Sequence, residues 1–263
     1  MRSPPHAPLP PPPTGPPVTP GARTADYDYP LPPELIAQQP LPERDASRLL
    51  VLDRTTRTWQ HRAVRDLPAL LRPGDLLVVN NSRVFPARLR GRRAETGGEV
   101  ELLLLEPTGD GGWWALIRPG KRLRPGAVVE LSDGRAAAEV LEKNAEGHAR
   151  VRFHGIPDLP AWLERHGEVP LPPYISRAAP DAADRERYQT VYARAAGSAA
   201  APTAGLHFTP ELLAALAAAG VRRAEVTLHV GLGTFAPVKA ATVAEPRMHA
   251  ESYVVPAEAA AAI

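Results

Sequence analysis

The 263-residue chain has no cysteine, two methionines and 5% aromatic residues. The lack of cysteine excludes disulfides and cysteine-based zinc or iron–sulfur centres, and it makes a reducing cytoplasm the expected location. No run approaches the ~20 apolar residues that a membrane-spanning helix needs, and we expect no membrane partner. The formal net charge of +2 is only mildly basic, so charge alone does not indicate a nucleic-acid partner.

Proline is abundant, with 32 residues that crowd most densely into the amino terminus. A segment so rich in proline cannot form a hydrogen-bonded ladder. We therefore predict that residues 1–24 are a disordered, polyproline-like tail, with a docking motif as the alternative.

Strand-length runs separated by glycine-rich breaks follow one another from Asp75 to His154. About seven such runs predict a small antiparallel β-barrel, because closure hides the edges of short strands. The predicted runs are 76–80, 84–93, 99–106, 113–118, 127–131, 135–142 and 149–154. Helical patterns on both sides, clearest at 209–219, predict an α/β body made of residues 25–72 and 156–263 with the barrel, 73–155, inserted into it.

Two stretches of small residues each present one histidine. Residues 199–208 are small and nearly uncharged and lead to His207, which suggests close approach of the backbone to a ligand. Residues 226–235 form a strand-like run that passes through His229 into a Gly-x-Gly turn. Since one helix separates them, we expect the two histidines to border a single pocket.

Six stretches together resemble one family, the S-adenosylmethionine:tRNA ribosyltransferase-isomerases of queuosine biosynthesis. They are 41–50, 74–89, 170–175, 184–192, 201–208 and 226–235. The resemblance implies an α/β body interrupted by a small barrel, with S-adenosylmethionine as co-substrate. It also implies tRNA with queuosine-family anticodons as partner. We expect a monomer without a metal.

The implied reaction needs proton transfer next to a sulfonium, a role that suits histidine. The resemblance therefore makes His207 and His229 the candidate catalytic residues. Candidate co-substrate ligands are Asn81, Arg83, Thr203, Gly205, Gly231, Gly233 and Thr234. For the glycines, the alternative is that they only permit a turn of the backbone. For the polar residues that follow the strand at 76–80, the alternative is that their side chains cap a turn.

Two basic clusters are candidates for binding tRNA. Strand alternation puts Arg88, Arg90 and Arg92 on one face, and a second cluster contains Lys121 and Arg122. Such faces follow a phosphate backbone without reading sequence; an ordinary solvated surface is the alternative.

The family that the chain resembles has a further carboxyl-terminal segment whose motifs are absent here. We therefore expect a truncated chain, and an inactive homologue that retains only RNA binding is the alternative function. An ordinary methyltransferase fits poorly, because no glycine-rich strand–turn–helix for the co-substrate is visible.

Overall fold

The computed structural model describes residues 22–120, 123–131, 134–145, 147–177, 181–235, 238–246 and 250–263. Most of the predicted tail, together with Lys121 and Arg122, lies outside these residues. The last part of the predicted tail belongs with the folded chain, because Arg23 forms a β-bridge with Thr242 and the Thr24 amide donates to the Ala241 carbonyl at 2.9 Å.

The described residues form thirteen strands, five α-helices and several 3₁₀ turns. The strands are β1 (Arg48–Asp53), β2 (Thr58–Ala63), β3 (Leu76–Asn80), β4 (Ser82–Val84), β5 (Arg88–Arg93), β6 (Glu99–Pro107), β7 (Trp113–Arg118), β8 (Val128–Leu131), β9 (Ala137–Lys143), β10 (Ala149–His154), β11 (Ala195–Ser198), β12 (Arg222–Leu228) and β13 (Tyr253–Val254). The helices are α1 (Leu67–Leu70), α2 (Leu159–His166), α3 (Ala182–Arg187), α4 (Pro210–Ala218) and α5 (Ala257–Ala262). The 3₁₀ turns include Arg44–Ala46, Thr203–His207 and Leu232–Phe235. Within the described ranges, no helix is long and apolar enough to cross a bilayer.

The predicted antiparallel barrel is confirmed. Six strands close in the order β10-β7-β6-β5-β8-β9. Alternate residues of β6 point inward, and Val100, Leu102 and Leu104 are almost fully buried. Closure pairs both edges of every strand, so the barrel exposes no unpaired strand edge.

One of the strands predicted for the barrel, the run at 76–80, belongs to the body instead, and so does the short strand β4, which ends at the first residue of the predicted run 84–93. β3 pairs in parallel with β12, which in turn pairs antiparallel with β13. β4 pairs in parallel with β11. The assignment of the run at 76–80 to the barrel is therefore wrong, and the barrel starts only at β5. Parallel partners lie far apart in sequence, so a local pattern does not reveal them. The domain limits at residues 73 and 155 stay a prediction.

Helix α4 begins and ends as its sequence predicts. Thr209 Oγ1 accepts a hydrogen bond from the Leu212 amide at 3.1 Å, and Gly220, at φ +81°, ends the helix in the left-handed region. Leu212 and Leu216 pack against Phe208 in a second core cluster. This packing anchors the chain immediately after the 3₁₀ turn Thr203–His207.

Candidate active site

A cavity of about 480 Å³ opens beside the 3₁₀ turn Thr203–His207. Four of the six stretches that carry the family resemblance contribute to its wall, and we call it the His207 cavity. Its lining residues include Leu41, Arg44, Arg48, Leu171, Tyr174, Ile175, Arg177, Asp184, Arg187, Tyr188, Thr203, Leu206 and His207. Its size is typical of a site for a small molecule.

His207 is held at the rim of this cavity by close packing behind it. Gly205, two residues earlier, lies so near Tyr192 that a Cβ there would overlap the phenol oxygen and lie 2.8 Å from Thr190 Cγ2. Phe208 is buried next to the Tyr192 ring, with 6.4 Å between ring centroids. The close approach that Gly205 permits is therefore to Tyr192, which differs from the ligand contact expected from the sequence.

Two arginines tie the elements of the cavity wall together. Arg44 donates to the carbonyls of Leu206 and Glu186, each at 3.0 Å. Arg187 donates to the carbonyls of Leu41 and Pro42 at 2.6 and 2.7 Å. Burial and the nearby positive charge of Arg187 lower the pKa of Arg44. This part of the wall is therefore electropositive.

The opposite part of the wall contains a bidentate ion pair. Arg177 donates to both Asp184 carboxylate oxygens, at 2.7 and 2.9 Å, and both side chains are largely buried. The hydrogen bond to Asp184 raises the pKa of Arg177. The pair fixes the segment that follows Ile175 against α3.

Arg48 and Tyr188 are two polar side chains of the cavity for which the described residues supply no ion pair and no hydrogen bond of normal geometry, respectively. Arg48 is exposed and has no ion pair among the described residues. Tyr188 is 7% exposed, and its hydroxyl has no partner of normal geometry in the part of the chain that the structure describes. Burial raises the pKa of Tyr188 to about 12, although the nearby Ala201 N–H opposes this shift. Both residues lie in stretches that the sequence pointed to, but neither was predicted as a site residue.

His229 borders a different cavity, of about 1030 Å³, between the barrel and the body. The ring packs against Gly197, where a Cβ would lie 2.9 Å from His229 Cε1 and the φ of +135° favours glycine. Its Nδ1 atom is buried without a partner among the described residues. Glu251, which accepts from the Gly231 amide at 2.9 Å, also lines this cavity. No signal in the sequence pointed to Glu251.

Among the described residues, the two candidate histidines line different cavities. The cavity with His207 and the cavity with His229 have no lining residue in common. The expectation of a single pocket bordered by both rings is therefore wrong for this structure. Of the other candidate ligands, Thr203 lines the first cavity and Gly231 the second, while Gly233 and Thr234 line neither.

Asn81 has a structural environment. Its side chain is 5% exposed, its amide donates to Glu225 at 3.2 Å, and its oxygen accepts from Thr227 at 2.7 Å. These contacts join the end of β3 to β12, which argues against the predicted contact with a co-substrate. Arg83, by contrast, is exposed on β4 and lines neither cavity.

Acidic residues lie close to the basic row on β5, in which Arg90 and Arg92 are exposed and Arg88 is half-buried with a buried Nε atom. Arg90 Nε donates to Glu168 at 2.8 Å, and Arg88 lies 3.9 Å from Glu101. Arg92 lies across from a glutamate on each neighbouring strand, Glu99 on β6 and Glu130 on β8. The three arginines therefore leave no positive surplus. Lys121 and Arg122 lie outside the described residues.

No group of three or more metal-ligating side chains occurs within the described ranges.

Comparisons with known proteins point to a single family. A family model described as "Queuosine biosynthesis protein" matches residues 24–263. A relative from Heliobacterium modesticaldum, named S-adenosylmethionine:tRNA ribosyltransferase-isomerase, is 53% identical over 237 residues, which cover 90% of this chain and 69% of the relative. A relative of the same name from Symbiobacterium thermophilum is 52% identical over 241 residues, 92% of this chain and 70% of the relative.

The chain is also similar to solved structures. The crystal structure of the S-adenosylmethionine tRNA ribosyltransferase from Thermotoga maritima is 34% identical and matches 90% of this chain with a TM-score of 0.37. This chain spans 64% of the length of that protein.

Proposed function

Because this chain belongs to the S-adenosylmethionine:tRNA ribosyltransferase-isomerase family of queuosine biosynthesis, we propose that it moves the ribosyl group of S-adenosylmethionine onto tRNA and isomerises it. The acceptor is the aminomethyl group of a 7-aminomethyl-7-deazaguanine in the tRNA. The products are epoxyqueuosine-tRNA, adenine and methionine.

The His207 cavity is the proposed site of this reaction. The observation that carries this assignment is that four separate stretches of the family resemblance line one cavity. A ribosyl transfer of this kind needs a group that takes a proton from the carbon beside the sulfonium and an acid that assists the departure of adenine. His207 is the proton-transfer group at the cavity rim, since histidine exchanges protons near neutral pH.

Arg48 and Thr203 supply the binding contacts in this proposal. The guanidinium of Arg48, exposed and without an ion pair in the part of the chain that the structure describes, suits the methionyl carboxylate. Charge-assisted hydrogen bonds to a carboxylate are among the strongest in proteins. The Thr203 hydroxyl suits a ribose hydroxyl. The apolar side chains of Leu171, Ile175 and Leu206 offer a surface for the adenine ring.

The experiment compares the two histidine variants, His207→Ala and His229→Ala, with the wild-type protein. Labelled S-adenosylmethionine is incubated with tRNA that carries the aminomethyl deazaguanine, and adenine release and modified tRNA are both measured. We expect one adenine per modified tRNA from the wild type. We expect His207→Ala to lose roughly 10²- to 10⁴-fold in rate, the typical contribution of general acid–base catalysis, with tRNA affinity nearly unchanged.

The outcomes separate the alternatives. Full activity of His207→Ala together with loss in His229→Ala would move the reaction to the cavity that contains His229. No adenine release from a folded wild-type sample would reject the enzyme. Salt-dependent tRNA binding without turnover would then identify a homologue that only binds RNA.

A further inference from the structure

The hairpin formed by β1 and β2 presents an apolar and aromatic face to solvent. In its register Leu50 lies opposite His61, and Leu52 lies opposite Trp59, so these four side chains share one face. Leu50 and Leu52 are 61% and 56% exposed. The rings of Trp59 and His61 contact each other with 4.9 Å between centroids. Leu49, on the other face, packs against the core of the body.

The same hairpin carries positive charge that the protein does not compensate. Its four arginines are all exposed and have no ion pair among the described residues; they are Arg48, Arg54, Arg57 and Arg62. The only acidic residue between 48 and 62 is Asp53, so four positive charges less one negative leave +3. Asp53 is already engaged, because it accepts from the Thr55 and Thr56 amides at 2.8 and 3.1 Å.

The acidic residues that precede the hairpin offset only part of this surplus, because two carboxylates share one guanidinium and leave a single negative charge. Glu43 and Asp45 both bind Arg65, at 2.7 and 3.3 Å. The β5 row differs, since each of its arginines faces a glutamate. Of the two surfaces, the hairpin therefore has the charge that a phosphate backbone would attract.

The hairpin is continuous with the His207 cavity. Arg48, the first residue of β1, lines the cavity, and six residues of a strand extend about 20 Å. An RNA loop that placed one base in the cavity would therefore have neighbouring nucleotides within reach of the hairpin face. Bases of single-stranded RNA are recognised mainly by stacking on aromatic rings, with arginines on the phosphates.

We propose that the outward face of the β1–β2 hairpin binds the single-stranded loop of the tRNA beside the modified nucleotide. Trp59 and His61 stack on flanking bases, Leu50 and Leu52 cover their edges, and Arg54 and Arg57, in the turn between the two strands, neutralise phosphates. Arg62 lies opposite Leu49 on the other face of the hairpin, and Arg48 belongs to the cavity. This inference rests on the proposed function, because that function makes tRNA the partner.

The test uses two hairpin variants, Arg54→Ala/Arg57→Ala and His61→Ala. Binding of a substrate tRNA is measured by fluorescence anisotropy at several salt concentrations. Loss of two phosphate contacts is expected to weaken affinity about tenfold and to make the slope of log K against log salt shallower by about 1.4, since single-stranded contacts contribute about 0.7 each. Loss of one stacking ring is expected to weaken affinity about fivefold without changing the slope.

Two matched double variants serve as controls. Arg72→Ala/Arg222→Ala removes two other exposed arginines for which the described ranges contain no ion pair, and we expect wild-type tRNA affinity. Arg90→Ala/Arg92→Ala removes the compensated row and is expected to lose less than threefold. Thermal unfolding of each variant, with and without S-adenosylmethionine, checks that the fold and the co-substrate site are retained.

Hairpin variants that bind tRNA as tightly as the wild type would overturn the proposal, as would a larger loss in Arg90→Ala/Arg92→Ala. A change in sedimentation instead of tRNA affinity would overturn it too, and would identify the face as a contact between copies of the chain. Each of these results concerns tRNA binding by the variants and does not bear on whether the wild-type protein releases adenine. Failure of adenine release contradicts the proposed function, so the two failures are distinguishable.

Discussion

Replacing Gly205 with alanine tests whether close packing behind the 3₁₀ turn positions His207. The added methyl group would overlap the Tyr192 phenol oxygen and lie 2.8 Å from Thr190 Cγ2 and 3.3 Å from Tyr192 Cζ. Carbon atoms in contact prefer about 3.5 to 4.0 Å. Neither neighbour can retreat easily, because Thr190 is 6% exposed and the Tyr192 ring packs against Phe208.

The expected loss of stability follows from two opposing effects. Forcing a methyl group into a packed interior costs about 1 to 3 kcal/mol. Alanine also reduces the conformational entropy of the unfolded chain, which stabilises the folded protein by about 0.4 to 1 kcal/mol. This gain applies because Gly205 does not occupy the left-handed region, so alanine can adopt its backbone conformation. Because the overlap with the Tyr192 oxygen is severe, the packing cost lies in the upper half of its range, at about 2 to 3 kcal/mol, and the free energy of unfolding should fall by about 1 to 2.5 kcal/mol. For a chain of this size, this shift corresponds to a Tm lower by about 2 to 10 °C.

Urea denaturation followed by circular dichroism measures the change, and the slope of the transition should stay constant. Adenine release should fall about tenfold or more, because small displacements of a catalytic group are costly. Tyr192→Phe removes the atom that overlaps most. The double variant Gly205→Ala/Tyr192→Phe should therefore be about 1 kcal/mol more stable than the sum of the single effects predicts.

Gly109→Ala is the matched control, because a Cβ at Gly109 meets nothing within 4 Å. Its stability should remain within about 0.5 kcal/mol of the wild type. Additive effects of Gly205→Ala and Tyr192→Phe, or wild-type stability of Gly205→Ala, would refute the packing explanation.

Two further predictions concern buried polar groups of the His207 cavity. Asp184→Asn leaves the Arg177 guanidinium without its counter-charge and should lower the free energy of unfolding, measured by urea denaturation, by about 3 kcal/mol. The double variant Arg177→Met/Asp184→Leu removes both charges and should lower it less. An equal loss in the two variants would contradict the role of the unpaired charge. The pKa of Tyr188 is raised from 10.0 to about 12, so its stabilising effect is complete below pH 10 and is lost as pH rises to 12. Across that interval the unfolding free energy should fall by about 2 kcal/mol more in the wild type than in Tyr188→Phe, because the phenol is only half ionised at each of its two pKa values. Equal falls would contradict the assignment.

Features that depend on near neighbours in the chain were predictable. Helix α4 is an example, because Thr209, Pro210 and Gly220 define its ends through contacts within a few residues. The barrel is another, since alternating burial along each strand is a local pattern. The family could also be identified from the sequence, because its motifs are long and contiguous.

The charge of the β5 row could not be predicted from its arginines alone. Alternation correctly put Arg90 and Arg92 on the outer face, but Glu168, which binds Arg90, comes from a segment 78 residues away. Glu99 and Glu130 come from two different strands. Whether a row of arginines forms a positive surface depends on which acidic residues the fold places beside it.

The sequence by itself determined the family, the barrel and the capped helix, because each is encoded in contacts or motifs of short range. Only the tertiary structure decided that β3 pairs with β12, that His207 and His229 border separate cavities, and that Gly205 packs against Tyr192. Those contacts join residues that are distant in the chain or are set by the packing of whole side chains. A periodic pattern carries information about which face is buried, but none about which distant partner covers it.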